Sequence, residues 1–341
     1  MNAPDPVTAG DIEDAAHRLA AHLAPTPLFV SGPLSDRATA AVAVKAEYRQ
    51  PTGSFKIRGA LNALLTLDPG ARRAGVVTAS SGNHGLAVAT AAAMTGIDAA
   101  VHLPMGAERA KREAIERTGV RVVVVDSTDA HDAERSARSA AEAEGRRYLS
   151  PYNDPAVVAG AGTVALELVD QMGDAGLDGV DVVVVAVGGG GLVAGVATWL
   201  AERSPSTLVV GASPANDAAI AASVAAGAVV DVAARPTFSD GTAGGIDPDT
   251  VTLDPCRQLV GAWTTVTEPA IAAAVADMID DHHQVVEGAA GVALAAAVGH
   301  GRRAPGARIV VVGCGANVSA ATLGRMLMMA RSPEAGGEPS L

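Results

Sequence analysis

Val182-Val183-Val184-Val185-Ala186-Val187 runs straight into Gly188-Gly189-Gly190-Gly191, and Leu192 opens a helical pattern that lasts to Glu202. An apolar run of strand length without alternation reads as a strand buried on both faces. A strand feeding directly into a helix is the repeating unit of a parallel α/β sheet. Four glycines in a row carry an entropic cost of up to about 1 kcal/mol each relative to Ala within an element. A turn alone does not call for them. A phosphate cradle does, because bare backbone N–H groups at a helix start can close on the anion.

The same alternation spreads outward from this stretch. Apolar runs at Ala41–Ala46, Gly75–Ala79, Ala99–Leu103, Val120–Val125, Leu208–Gly211 and Arg308–Gly313 read as further strands. Helical spacing occupies Asp11–Leu23, His84–Thr95, Glu108–Thr118, Ala130–Glu144 and Gly160–Met172. Pro25-Thr26-Pro27 ends the first of these. The units are too many and too unevenly spaced for a barrel. They predict an α/β fold of two open, mostly parallel sheets flanked by helices. The basic breaks Ala71-Arg72-Arg73 and Gly145-Arg146-Arg147 read as crossings between lobes. They divide the chain into a large domain, 1–72 with 149–330, and a small domain, 73–148. The tail, 331–341, has the composition of a disordered end.

The chain has 341 residues, with 49% hydrophobic and only 2% aromatic, so Ala, Val, Leu and Ile build its core. Its 37 acidic residues outnumber 25 basic ones, for a net charge of -12, and no basic block stands out. Nucleic acid and membrane are thereby set aside as partners. The cysteines, Cys256 and Cys314, show no paired spacing, as suits a reducing compartment. No secretory pattern opens the chain, and no Ala/Val run reaches the roughly 20 residues of a membrane helix. A cytoplasmic protein is expected.

Ligands of open parallel sheets bind where strands turn into helices. Four further stretches carry chemistry there. Pro51-Thr52-Gly53-Ser54-Phe55-Lys56-Ile57-Arg58-Gly59-Ala60 places Lys56 at a helix start, where a cation is disfavoured by about 0.3–1 kcal/mol. A surface lysine and a lysine kept neutral as a Schiff base both fit. Ser80-Ser81-Gly82-Asn83-His84-Gly85 suits either a helix cap or a carboxylate site. Ser239–Gly245 reads as a polar turn. Gly313-Cys314-Gly315-Ala316-Asn317 reads as a loop around a buried cysteine. Gly189, Gly191 and Ala194 satisfy a loose dinucleotide fingerprint, but no acid for a ribose follows Leu208–Gly211. His282-His283 and Asp280-Asp281 read as a solvated helix face, because adjacent residues point apart.

Lys45-Ala46-Glu47, Gln50–Lys56, Ser80–His84, Gly188–Gly191 and Gly313–Gly315, in that order, resemble the fold type II pyridoxal phosphate (PLP) enzymes. These share the tryptophan synthase β-like fold. The branch resembled is that of serine/threonine dehydratases and serine racemase, over about residues 10–325. The resemblance implies that PLP lies between a large and a small lobe. Lys56 would carry it as a Schiff base, with Phe55 packed on its ring and Asn83 bonded to its phenolic oxygen. Gly188, Gly189, Gly190 and Gly191 would hold its phosphate, and Cys314 would face the pyridine nitrogen. Ser80, Ser81, Gly82, Asn83 and His84 would take the substrate carboxylate. A thiol at Cys314 supplies no charge to keep the ring nitrogen protonated, which favours prompt loss of a β-substituent.

The implied activity is removal of water and ammonia from a β-hydroxy amino acid such as L-threonine or L-serine, leaving a 2-oxo acid. The alternative is a serine-type racemase, with Ser81 serving the face opposite Lys56. A homodimer is implied. Ser213-Pro214 stands where the family often has Glu-Pro, so no metal is expected there. Gly288 replaces a frequent Pro, which leaves Glu287 open between a helix cap and a catalytic group. Gly244-Gly245 is small for the substrate loop, which suggests room for a substrate bulkier than serine. No regulatory domain is expected after residue 330.

Overall fold

The computed structural model describes residues 5–331, so the expected tail lies outside the described residues except for Arg331. Within them are strands β1 (Leu28–Val30), β2 (Ala41–Lys45), β3 (Val76–Ala79), β4 (Ala99–Pro104) and β5 (Arg121–Val125). They are followed by β6 (Arg147–Tyr148), β7 (Val182–Ala186), β8 (Leu208–Pro214), β9 (Ala262–Val266) and β10 (Arg308–Val312). One sheet has six strands in the order β1-β2-β10-β7-β8-β9, and the other has four in the order β5-β4-β3-β6. Only β1 runs antiparallel to its neighbour among these pairings. The expected pair of open, mostly parallel sheets flanked by helices is the fold.

Every residue of β7 is buried, as its unbroken valines require. The helix Gly288–Arg303 packs on β7 and β10, and the helix Gly191–Arg203 packs on β7 and β8. Small residues let the helices close up. A Cβ on Gly160 would lie 2.5 Å from the Arg58 carbonyl oxygen, and one on Gly59 would lie 2.8 Å from that of Val157. The helix Lys56–Leu65 is thereby seated directly on the helix Pro155–Gln171.

Several elements differ from the sequence reading. Ala71-Arg72-Arg73 is helical, where the sequence reads as a break. It lies in a short helix, Pro69–Ala74, whose first amides are capped by Asp68. Arg147 belongs to β6. The helix expected from Gly160 begins at Pro155, where Asp154 accepts from the amides of Ala156 and Val157. His282 and Asp281 are not simply solvated. His282 Nε2 lies 2.8 Å from Ser31 Oγ, and Asp281 accepts from Arg37 at 2.6 Å. Among the described residues no helix is long and apolar enough to cross a membrane.

Candidate active site

The carboxyl ends of β2, β3, β7 and β10 lead into the loops that line one cleft. It holds about 460 Å³ of atom-free space, and its walls include Phe55, Lys56, Asn83, Gly188–Gly191, Glu287 and Cys314.

Lys56 opens its helix, and no acidic residue sits in the first turn to offset its charge. Nζ donates to the Pro151 carbonyl at 2.9 Å and lies 5.1 Å from the centre of the Phe55 ring. Burial brings the amine down to about 8, against the opposing pull of Cys314 and Glu287. A neutral amine is therefore accessible just above neutral pH, and the electrostatic anomaly at the helix start is lessened. The loop around Lys56 is stitched to the end of β10. Phe55 N donates to the Cys314 carbonyl at 3.0 Å, and Ala316 N donates to that of Gly53 at 2.8 Å.

The glycine run is a bare cradle. Gly190 sits at φ +85°, and a Cβ on it would meet Thr252 Oγ1 at 3.0 Å and Cys256 Sγ at 3.1 Å. On Gly188 a Cβ would meet Thr242 Cα at 2.9 Å, and on Gly189 it would overlap the Tyr152 ring. Thr252 Oγ1 donates to the Gly189 carbonyl at 2.7 Å, which occupies that oxygen. The helix that follows has no side-chain cap, so its first amides are left for an anion.

A third group lines the same cleft. Asn83 Nδ2 donates to both carboxylate oxygens of Glu287, at 2.9 and 3.0 Å. Asn317 N donates to Glu287 Oε2 at 3.1 Å, and Asn317 Nδ2 donates to Asn83 Oδ1 at 2.7 Å. Glu287 is 3% exposed. Burial pushes its carboxyl up to about 7. Cys314 lines the same wall, and burial raises its thiol well above the ordinary value, so it is present as the neutral SH.

The structure therefore brings together Phe55, Lys56, Asn83, Gly188–Gly191 and Cys314. Ser80, Ser81, Gly82 and His84 are not among the lining residues. The His84 ring is buried, with Nε2 3.1 Å from the Leu149 carbonyl, and burial together with the nearby Lys56 lowers it to about 3. It is a neutral donor inside the fold. Gly241 and Thr242 line the cleft, while Gly244 and Gly245 are exposed and do not. Ser213 Oγ donates to the Val187 carbonyl at 3.1 Å, and Asp217 Oδ2 accepts from Gly244 N at 2.8 Å. Among the described residues no three His, Cys, Asp or Glu side chains group as a metal site. Sequence reasoning missed Tyr152, Thr242 and Asn317, and left Glu287 undecided. The last two had a signal in their neighbourhood. Asn317 ends the quoted Cys314 loop but was given no role, and Glu287 precedes a helix without acting as its side-chain cap.

A family model described as pyridoxal-phosphate dependent enzyme matches residues 19–315. This chain belongs to that family. The enzyme is 36% identical to the catabolic L-threonine dehydratase of Escherichia coli over 291 residues, 85% of this chain and 86% of the other. Its fold matches the processed threonine deaminase isoform 2 of Solanum lycopersicum with a TM-score of 0.87, at 29% identity and 97% of each chain. It matches maize serine racemase equally, with a TM-score of 0.87, at 29% identity and 95% and 98% coverage. The cleft fits this PLP-dependent enzyme's cofactor in three respects: a phosphate-sized cradle that Cβ atoms would fill, an amine that is readily neutral, and a neutral thiol.

Proposed function

We propose that the enzyme is an ammonia-lyase acting on a β-hydroxy amino acid such as L-threonine or L-serine. The observation that carries this reading is the convergence of Lys56, the Gly188–Gly191 cradle and the neutral Cys314 thiol on one cleft. The threonine dehydratase relatives support it. Bound there, PLP supplies an electrophilic carbonyl and a conjugated ring that spreads negative charge from the substrate Cα. Lys56 would carry the cofactor, and its freed amine would take the α-proton at Nζ. The amides of Gly188–Gly191 would hold the phosphate. Phe55 packs beside the amine. The Ser80–His84 loop, through its backbone and the side chains of Ser80 and Ser81, would receive the substrate carboxylate, while the Asn83 side chain would serve the cofactor. Cys314, as a thiol, adds no charge at the ring nitrogen, which favours departure of the β-hydroxyl. The net change is loss of water, then hydrolysis to a 2-oxo acid and ammonia.

Residues 73–148 would act as a small lobe against 1–72 and 149–330, with the cofactor between them. The four strands of the smaller sheet fall between Val76 and Tyr148, which supports that division. A cytoplasmic homodimer completes the reading.

The likeness to maize serine racemase favours one rival, a racemase using Ser81 on the second face. Incubation with L-serine and L-threonine, following ammonia and chirality together, separates the two. Ammonia release outpacing D-amino acid is expected. Faster accumulation of D-serine than of pyruvate would overturn the lyase reading.

A further inference from the structure

We propose that Glu287 is a positioning residue: it fixes the orientation of the Asn83 amide and so decides that Asn83 presents an N–H, not a carbonyl oxygen, to the cofactor. The inference rests on the reading above for the cofactor's place beside Asn83.

An asparagine amide has nearly isosteric ends, and its partners decide which way it points. Here three side chains close a ring. The Glu287 carboxylate, when ionised, can only accept. Its two oxygens take Asn83 Nδ2 at 2.9 and 3.0 Å, and Oε2 also takes Asn317 N at 3.1 Å. Asn317 Nδ2 spends its donors on Asn83 Oδ1 at 2.7 Å and on the Thr52 carbonyl at 2.8 Å. Asn83 Oδ1 is thus occupied from one side and Nδ2 from the other. One N–H can serve both Glu287 oxygens, which leaves the second for the cleft that Asn83 lines. The site makes room for this carboxylate. A Cβ on Gly315 would overlap it, and one on Gly241 would touch Oε1 at 3.4 Å.

Glu287's hydrogen-bond partners are neutral, while charged groups face it from several elements. Asp240, on the loop before Gly241, opposes ionisation, and Lys111 from the helix Arg109–Glu116 favours it. Those two are themselves paired at 2.7 Å. Lys56 and Cys314 face it from within the cleft. With burial raising the carboxyl to about 7, its charge changes near neutrality. Protonation of Glu287 takes away one of the two oxygens that hold Asn83 Nδ2 and the negative charge that favours an N–H there, so the constraint on the Asn83 amide weakens.

The test compares Glu287→Gln with Glu287→Asp. In the loaded wild-type enzyme the visible absorption of bound PLP is expected to titrate near pH 7. The Asp variant should keep a titration, and the Gln variant should lose it, with kcat down about 10–100-fold and KM within about threefold. A Gln variant with the wild-type spectrum and pH response overturns the proposal. The apo-protein provides a readout that needs no cofactor. In a double-mutant cycle of Glu287→Gln and Asn83→Ala, thermal midpoints should shift non-additively. Additive shifts overturn the pairing. Failure of the wild-type protein to bind PLP would sink the proposed function instead, and the cycle would still decide whether Glu287 and Asn83 act as a unit.

Discussion

Arg58 grips Glu47 through two guanidinium nitrogens, with Nε and Nη2 each 2.8 Å from a carboxylate oxygen, two residues along from Lys56. The pair belongs to a buried chain of alternating charge. Arg58 Nη2 also reaches Glu167 at 2.9 Å, and Lys45 pairs with the same carboxylate. Thr26 Oγ1 closes the network on Glu47 at 2.5 Å. Burial alone would raise Glu47, but Arg58 and Lys45 outweigh it and hold the carboxyl below its usual range. The network ties β2, the Lys56 helix and the helix Pro155–Gln171 to one another.

Removing one partner of such a pair leaves a buried charge uncompensated, at about 3–5 kcal/mol. Glu47→Ala should lose about that much stability in chemical denaturation and should weaken PLP retention, because the helix carrying Lys56 loses its anchor. The native pair also sets an acid limit. A depressed carboxylate stabilises the fold above its unfolded value of about 4.3 and loses that contribution as pH falls through the lower folded value. The wild-type protein should therefore lose stability below about pH 4. In Glu47→Ala that loss should be smaller. An unchanged denaturation midpoint in Glu47→Ala would count against the network's role.

The lowered pKa of Lys56 leads to a second expectation. The free amine is the nucleophile that captures the cofactor, so capture by apo-protein should speed up as pH rises toward about 8 and level off beyond it. Stopped-flow absorbance after mixing with PLP checks this. Stability has its own sign. The unfolded lysine still holds its proton up to about 10.4 while the folded one has released it, so the unfolded state binds more protons between those values. This group's contribution to apo-protein stability rises with pH across that window. Lys56→Ala should abolish both the capture signal and the visible band.

Legibility in the sequence followed local signal. β7 and β10 were plain because buried parallel strands leave unbroken valine runs. β1 has three residues and follows two prolines, β6 has two and begins with Arg147, and β9 carries Trp263, Thr264 and Thr265. None has a long apolar run, so pairing partners far along the chain define them. The Asp154-Pro155 helix start was readable as a cap followed by Pro at the first turn, yet apolar spacing drew attention to Gly160. Residues of the site on tight turns, Lys56 and Gly188–Gly191, stood out because their local cost needs explaining. Glu287 did not, because its partner Asn83 lies 204 residues away. No local pattern records a bond of that range.

The cradle should be intolerant of a single methyl. Gly189→Ala would drive a Cβ into the Tyr152 ring, whose hydroxyl is held by the amide of Asp247 at 2.8 Å and cannot yield freely. Overpacking of this kind costs about 1–3 kcal/mol. Equilibrium dialysis should show PLP affinity falling by about 5–150-fold, the same energy written as a ratio, while the fold is kept. Wild-type affinity in this variant would show that the loop has slack and is not a fitted cradle.

Asp217 supports the last expectation. It is 4% exposed, and its Oδ2 accepts from Gly244 N at 2.8 Å. Asn216 beside it donates from Nδ2 to the Pro236 carbonyl at 2.6 Å and accepts from Arg235 N at 2.9 Å. Two adjacent residues thus clip both arms of the segment 235–244, whose Gly241 and Thr242 form one wall of the cleft. Asp217→Ala releases one arm by removing the acceptor of the Gly244 amide, a loss of about 0.5–1.5 kcal/mol. The wall should loosen, with KM for the amino acid rising about tenfold and the visible PLP band unchanged, since Lys56 and the glycine cradle are untouched. Asp217→Asn keeps an oxygen able to accept from Gly244 N and should restore most of the loss. Steady-state kinetics on the two variants measures the difference, and equal KM values in Asp217→Ala and wild type would mean that the segment holds its shape without the clip.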